Sequence, residues 1–360
     1  MRVSSLLEDR RYPSLGSAVE GSRAPMHARV FAETTTVGIV VIGRNEGERL
    51  LGCIASVGEL GVPYVYVDSG STDDSIGNAA QLGADVVALD AHAPFTAARG
   101  RNAGFRFLRK KYPNLTYVQF VDGDCELASG WMPAALEFLE KHRDVAVVCG
   151  QLKERHPEAS LYNRLCETEW AGPTGQIRTS GGIALIRVES FHEVGEFRED
   201  LISGEEPELC FRLRSRGWKI WRLPVHMAWH DANMTQFGQW WRRMARNGHG
   251  CARGMFYYEK ASPERRECVR RVAGALAWGA VLPLAVLVCA AMWPPGVFLG
   301  LALYPLQILR LRVRGAGDAN VSPWTSASFT VLDKFPHVAG ILRFTIHRFL
   351  KRETALIEYK

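Results

Sequence analysis

Two carboxylates one residue apart, Asp122 and Asp124, follow the apolar run 117–121, Tyr-Val-Gln-Phe-Val. A run of β-branched and aromatic residues buries as a central strand. It should therefore deliver both acids to the strand's carboxyl edge, where open α/β sheets bind ligands. Two acids facing one phosphate repel it unless a cation lies between them, so the pair suggests a metal holding phosphate. A turn with helix-capping acids is the other reading of Asp-Gly-Asp. Asp68 ends an earlier apolar run and leads into Ser69-Gly70-Ser71-Thr72, a tight polar turn. A carboxylate there can accept from a nucleobase edge or a ribose, and it can equally hold its own turn. Gly43-Arg44-Asn45-Glu46 opens a helix whose N-terminus can cap a ligand. Glu205, Glu206 and Glu208 crowd what reads as a helix's first turn, where the dipole favours acids. GxGxxG and GxxxxGK[ST] are both missing, which argues against NAD binding and against a P-loop.

These residues need a frame. Strands are expected at residues 37–42, 64–67, 85–88, 117–121 and 145–149, with helical spacing at 46–57, 73–82, 96–111 and 132–141. Strict alternation predicts a Rossmann-like α/β core, a parallel sheet covered on both faces. From residue 151 the alternation loosens: Ser180-Gly181-Gly182 precedes a strand at 183–186, and a helix over 206–216 ends at Gly217. Two short strands, 219–222 and 227–229, should follow.

The chain has 360 residues, 47% hydrophobic and 23% charged, enough to bury a large core. Much of the +6 net charge lies in the last hundred residues beside the most apolar segments, which favours a membrane partner over nucleic acid. The eight cysteines show no CxxC pair and read as reduced, buried thiols of a cytosolic domain. Residues 272–293 carry no charge and give about 33 Å of helix, enough to cross a ~30 Å hydrocarbon core. After Pro294-Pro295, residues 296–309 give only about 21 Å and read as a second span or a re-entrant segment. Arg265, Arg266, Arg270 and Arg271 precede the pair and Arg310, Arg312 and Arg314 follow it, so both ends should face the cytosol. Beyond Pro336, Val338, Ile341, Leu342, Ile346 and Phe349 can share one face of a basic amphipathic helix lying on the inner leaflet. Four parts result: a mobile tail at 1–35, a catalytic domain at 36–255, a membrane hairpin at 256–314, and a basic amphipathic segment at 315–360.

The first strand, the Asp68 loop, Arg101-Asn102-Ala103-Gly104, Asp122-Gly123-Asp124 and Gly204-Glu205-Glu206-Pro207-Glu208-Leu209 follow one another in the order found in family 2 glycosyltransferases. The chain from about residue 37 to 241 resembles their catalytic GT-A domain, a nucleotide-sugar-binding α/β unit. The resemblance implies that Asn45, Glu46, Asp68, Arg101 and Asp122 serve the nucleotide-sugar, Arg101 by reaching the phosphates or shaping the pocket. It implies that Asp122 and Asp124 hold Mg²⁺ or Mn²⁺ on the diphosphate, with His230 of His230-Asp231 as a third metal ligand. Glu205-Glu206 matches the family's Glu-Asp pair, which makes Glu206 the general base of an inverting transfer. The longer Glu side chain leaves Glu205, Glu206 and Glu208 all open for that role. Gln239, Trp240, Trp241 and Arg242 resemble the QxxRW element on the acceptor side, although Arg243 stands where Trp is expected. Trp240 and Trp241 can stack on a sugar, anchor at a membrane interface, or pack in the core.

The implied function is transfer of a sugar from a nucleotide-diphosphate donor to a hydroxyl of a lipid-linked or polysaccharide acceptor. It would take place at the cytosolic face of an inner or plasma membrane. Two alternatives share the fold: a sugar-phosphate nucleotidylyltransferase, and a non-catalytic membrane scaffold.

Overall fold

The β-branched runs pair into one sheet. In the computed structural model, which describes residues 36–315 and 321–350, the strands are β1 (Thr36–Gly43), β2 (Tyr64–Asp68), β3 (Asp85–Ala88), β4 (Leu115–Asp122), β5 (Cys125–Leu127), β6 (Val145–Glu154), β7 (Gly175–Ile177), β8 (Ala184–Arg187) and β9 (Lys219–His230). The expected tail at 1–35 lies outside the described residues, as do 316–320 and 351–360. Strand order is β3-β2-β1-β4-β8-β6-β9-β5, with β7 also on β9.

The β3-β2-β1-β4 half is parallel, as the alternation predicts. The whole sheet is not. β8 runs antiparallel between β4 and β6, and β5 and β7 run antiparallel to β9. The parallel rule applies only while each strand returns through a helical crossover, and that regularity ends after β6. The two short strands expected at 219–229 are one strand, β9. Its register on β6 shifts between Cys149 and Leu152, on the stretch facing Arg222 to Ala228. Pro224 lies in that stretch and has no N–H to give a ladder, so the strand slips past it instead of ending.

Helices α1 (Glu48–Gly58), α2 (Ser75–Gln81), α3 (Ala97–Lys111), α4 (Trp131–Lys141), α5 (Leu161–Trp170), α6 (Val188–Val194) and α7 (Glu205–Ser215) accompany the sheet. Thr96 caps α3 by accepting from the Arg99 N–H, and Gly100 and Gly104 let that helix sit directly on the strands. A Cβ on Gly104 would lie 2.4 Å from a Val40 methyl and 2.8 Å from one of Val67. This close approach sets Arg101 over the ends of β1 and β4. Those two ends are tied where the chain reverses its direction of travel across the sheet: the Gly123 N–H donates to the Ile42 carbonyl at 2.8 Å.

The C-terminal part is helical: α8 (Phe237–Tyr257), α9 (Pro263–Leu276), a π turn (Ala277–Val281), α10 (Leu282–Met292), α11 (Gly296–Arg314), α12 (Pro323–Leu332) and α13 (Lys334–Phe349). Among the described residues, two helices are long and apolar enough to cross a membrane, Pro263–Met292 and Gly296–Arg314. The π turn precedes Pro283, whose ring and missing N–H disturb the regular ladder. The second segment does not stop at Leu309. Its 19 residues span about 29 Å, because the arginine-bearing turn stays helical and its cations suit the helix C-terminus. The apolar residues of α13 also divide. Val338, Ile341 and Phe344 pack with Ala252 of α8 and Val272 and Ala275 of α9, while Leu342, Ile346 and Phe349 are exposed. Glycines on both helices, Gly248 and Gly340, allow that approach, so the helix expected on the leaflet gives one face to protein.

Candidate functional site

Asp122 and Asp124 leave β4 in different directions. Asp122 Oδ1 accepts from Arg101 Nη2 at 2.9 Å, and the other end of that guanidinium, Nη1, donates to Glu205 Oε1 at 2.9 Å. Arg101 is 3% exposed and raised above its ordinary pKa, since the two carboxylates outweigh its burial. Asp124 is buried and turns to His230 instead, with Oδ2 3.6 Å from Nε2. Asp124, Cys125 and His230 bring one donor atom each within 4.8 Å of one another, and Asp122 is not part of that cluster. The carboxylate is a suitable donor for Mg²⁺ or Mn²⁺ and the imidazole suits Mn²⁺ better than Mg²⁺, while the thiol is too soft to prefer either.

His230 ends β9, and the loop that follows it is held by Glu154 and Asn163. Glu154 Oε2 accepts from the Ala232 N–H at 3.2 Å, and Glu154 Oε1 from Asn163 Nδ2 at 3.2 Å and the His156 N–H at 3.1 Å. Asn163 Oδ1 accepts from the Met234 N–H at 2.9 Å. Burial pushes Glu154 up to about 7. The sequence reading missed this cage, although Glu154 ends an apolar strand just as Asp122 does.

Asp68 faces its own turn. Its carboxylate accepts from the Gly70 and Ser71 N–H groups at 2.9 and 2.8 Å, from Tyr66 Oη at 2.9 Å and from Ser71 Oγ at 2.5 Å. It is 1% exposed, so the turn-holding alternative describes its contacts here. Asn45, at φ 54, stitches the neighbouring loop to this one: Asn45 Oδ1 accepts from the Thr72 N–H at 2.7 Å. Glu46 pairs with Arg49 at 2.8 Å, and Arg49 also donates to the Asp231 carbonyl.

The three acids of α7 have three different partners. Glu205 has Arg101, and although burial would raise its pKa, Arg101 and Arg246 pull it below the usual carboxylate range. Glu208 is clamped by Arg212, at 2.9 and 2.7 Å. Glu206 meets only neutral donors: its Oε1 accepts from the Ser180 N–H at 2.5 Å, Ser180 Oγ at 3.0 Å and Cys210 Sγ at 3.0 Å. Next to Ser180 the backbone comes close to the ion pair, for a Cβ on Gly182 would lie 2.5 Å from Arg101 Nη2.

Of the residues expected on the acceptor side, Gln239 closes a capping box at the start of α8 with Gln236. Trp240 is 4% exposed in an apolar cluster with Cys166, Ala232, Met234 and Met244, and its ring meets Phe329 edge-on. Core packing is therefore its role in this conformation. Trp241 is half-buried, Arg242 is exposed, and Arg243 pairs with Glu169 at 3.0 Å.

Residues 38–195 match the family model described as Glycosyl transferase family 2. Over that stretch the α/β unit is similar to family 2 glycosyltransferase domains. The match ends just after α6, before the acids of α7 and before His230. The unit's GT-A fold is shared with the mannosyltransferase PcManGT of Pyrobaculum calidifontis, solved with GDP-Man and Mn²⁺. The two align with a TM-score of 0.57 at 16% identity over 86% of this chain and 88% of that one. Among curated proteins, the chain is 27% identical over 234 residues to the pre-mycofactocin glycosyltransferase of Mycobacterium tuberculosis (strain CDC 1551 / Oshkosh), which is 60% of this chain and 47% of that protein. It is 28% identical over 127 residues to the succinoglycan biosynthesis protein ExoA of Rhizobium meliloti (strain 1021), 35% of this chain and 37% of that protein. The chain thus matches less than half the length of these curated relatives.

Proposed function

We propose that this chain is an inverting, divalent-cation-dependent glycosyltransferase. It would move a sugar from a nucleotide-diphosphate donor to a hydroxyl of a lipid-linked or polysaccharide acceptor, at the cytosolic face of the inner or plasma membrane. The observation that carries the reading is Arg101, whose single guanidinium joins the Asp122 side of the Asp-Gly-Asp loop to the acid-rich start of α7. The Asp-Gly-Asp loop that would hold the metal and the helix turn that carries the candidate base Glu206 are thereby tied together by one residue, and catalysis depends on such fixed positioning. The relatives add support: one is named a glycosyltransferase, another a polysaccharide biosynthesis protein, and the fold neighbour was solved with a nucleotide sugar and Mn²⁺.

Asp124 and His230 would hold the cation, with Asp122 beside them. A bound Mg²⁺ or Mn²⁺ supplies positive charge that stabilises the departing diphosphate. Asp122, neutralised on one side by Arg101, would present its other oxygen to the donor. Glu206 is the acid suited to take the acceptor's proton, because Arg101 and Arg212 hold its two neighbours as ion pairs. The domain limits follow the same reading: a catalytic unit at 36–255, a membrane hairpin at 256–314, and a basic segment at 315–360 that adds a second contact with the membrane. The exposed Leu284, Leu287, Val288, Phe298 and Leu299 of the hairpin suit a lipid environment.

The test is a screen of UDP-, GDP- and dTDP-sugars with Mn²⁺ and membrane lipids, read as release of nucleoside diphosphate. One donor should be turned over, and Asp124→Ala should abolish turnover. Equal activity of wild type and Asp124→Ala would remove the metal assignment. Pyrophosphate released from a nucleoside triphosphate would instead support a nucleotidylyltransferase.

A further inference from the structure

The two oxygens of the Glu206 carboxylate are not equivalent. Oε1 receives all three hydrogen bonds, from the Ser180 N–H, Ser180 Oγ and Cys210 Sγ. Among the described residues, no hydrogen bond reaches Oε2. The donors come from two elements: Ser180 from the loop before β8, and Cys210 from one turn further along α7, where an i+4 side chain stacks on that of residue i. Ser180 Oγ also lies 3.7 Å from Cys210 Sγ, so the three groups form one cluster. The hydroxyl's single proton has a second acceptor, the Gly181 carbonyl at 3.2 Å, but the charged oxygen at 3.0 Å is the stronger one.

We propose that Ser180 and Cys210 are positioning residues that grip Glu206 by Oε1 and leave Oε2 to take the proton of the acceptor hydroxyl. The inference rests on the reading of Glu206 as the base. A carboxylate on a flexible stem loses catalytic power by wandering among rotamers, and a fixed oxygen does not. Cys210 can serve throughout, because burial and then the Glu206 charge push its thiol well above the ordinary range, so Sγ keeps its proton. The other groups facing Glu206 are Cys149 of β6, pushed up to about 11 by burial, and Tyr258 beyond α8, also raised by burial. Neither titrates at neutral pH. The adjacent Glu205 is held as an anion by Arg101.

The experiment measures nucleoside diphosphate release by the full chain, with the donor identified in the screen and Mn²⁺, as kcat and KM separately. Cys210→Ala should lower kcat about three- to tenfold with the donor KM unchanged. Cys210→Ser, which restores a donor of similar length, should return kcat towards wild type. Ser180→Ala, on a separate element, should lower kcat in the same way. An unchanged kcat in both alanine variants, with Glu206→Gln inactive, overturns the positioning roles and leaves the base in place. Full activity of Glu206→Gln overturns the base reading and this inference with it.

Discussion

At Arg101, a buried cation holds two carboxylates from elements far apart in the chain, and removing it would leave both acids without their partner. Arg101→Ala should destabilise the fold by about 3–5 kcal/mol, measured by chemical denaturation. Arg101→Lys should recover only part of this, because one ammonium cannot reproduce the planar fork at 2.9 Å to both acids. At the other carboxylate of the loop, His230→Ala should weaken Mn²⁺ binding by calorimetry about 10- to 100-fold, by analogy with the loss of an orienting metal partner. An unchanged affinity would take His230 out of the metal site. For Glu206→Gln, transfer should fall by about 10²–10⁴-fold, the range for losing a general base, with nucleotide binding retained.

The elements impose their own demands. Where α3 rides on β1 and β2, Gly104→Ala would drive a methyl into Val40 and Val67, and overpacking of this kind costs about 1–3 kcal/mol. Since the same contact sets the height of Arg101, activity should fall together with the thermal midpoint. Between α8 and α13, His249 is fully buried, its ring meets Phe344 edge-on, and neither of its nitrogens has a hydrogen-bond partner. Burial, reinforced by Arg253, Arg343, His347 and Arg246, lowers its pKa to about 4. The unfolded chain, with an ordinary His pKa of about 6.5, binds a proton over the window between these values and the folded chain does not. Stability should therefore fall as the pH drops from about 6.5 to about 4, by an amount on the order of 3 kcal/mol, and level off below. His249→Leu should flatten this limb in thermal denaturation followed against pH. An equally steep limb in that variant would assign it to other groups.

For the molecule as a whole, the α/β unit is joined through α8 and α13 to two apolar helices. If these span the bilayer with both ends inside, a cysteine placed at Trp293, in the charge-free turn, should react with a membrane-impermeant maleimide added from outside. One placed at Arg270 should react only after the cells are opened, and the reverse labelling would invert the topology. A cysteine-free background is needed, since Cys289 is itself exposed on α10.

Much of this was legible in the chain. Apolar runs of period two and helices of period 3.6 are local, so the β3-β2-β1-β4 half-sheet, the Asp122–Asp124 pair at its edge and the long uncharged helix could be read from residue types alone. Once a strand is fixed, the residue at its end is fixed too. What pairs with that residue is set by parts of the chain far away in sequence. The antiparallel insertion of β8, the bridge from Arg101 to Glu205 104 residues on, and the turn of Asp124 towards His230 all depend on packing. For Trp240 the sequence left sugar stacking, an interface anchor and core packing all open, and its position is in the core. The sequence by itself determined which acids follow the β4 run and which crowd the first turn of α7. Only the tertiary structure decided which of them is neutralised by a cation and which, Glu206, is held by neutral donors, because electrostatic partnership depends on distance through space and not along the chain.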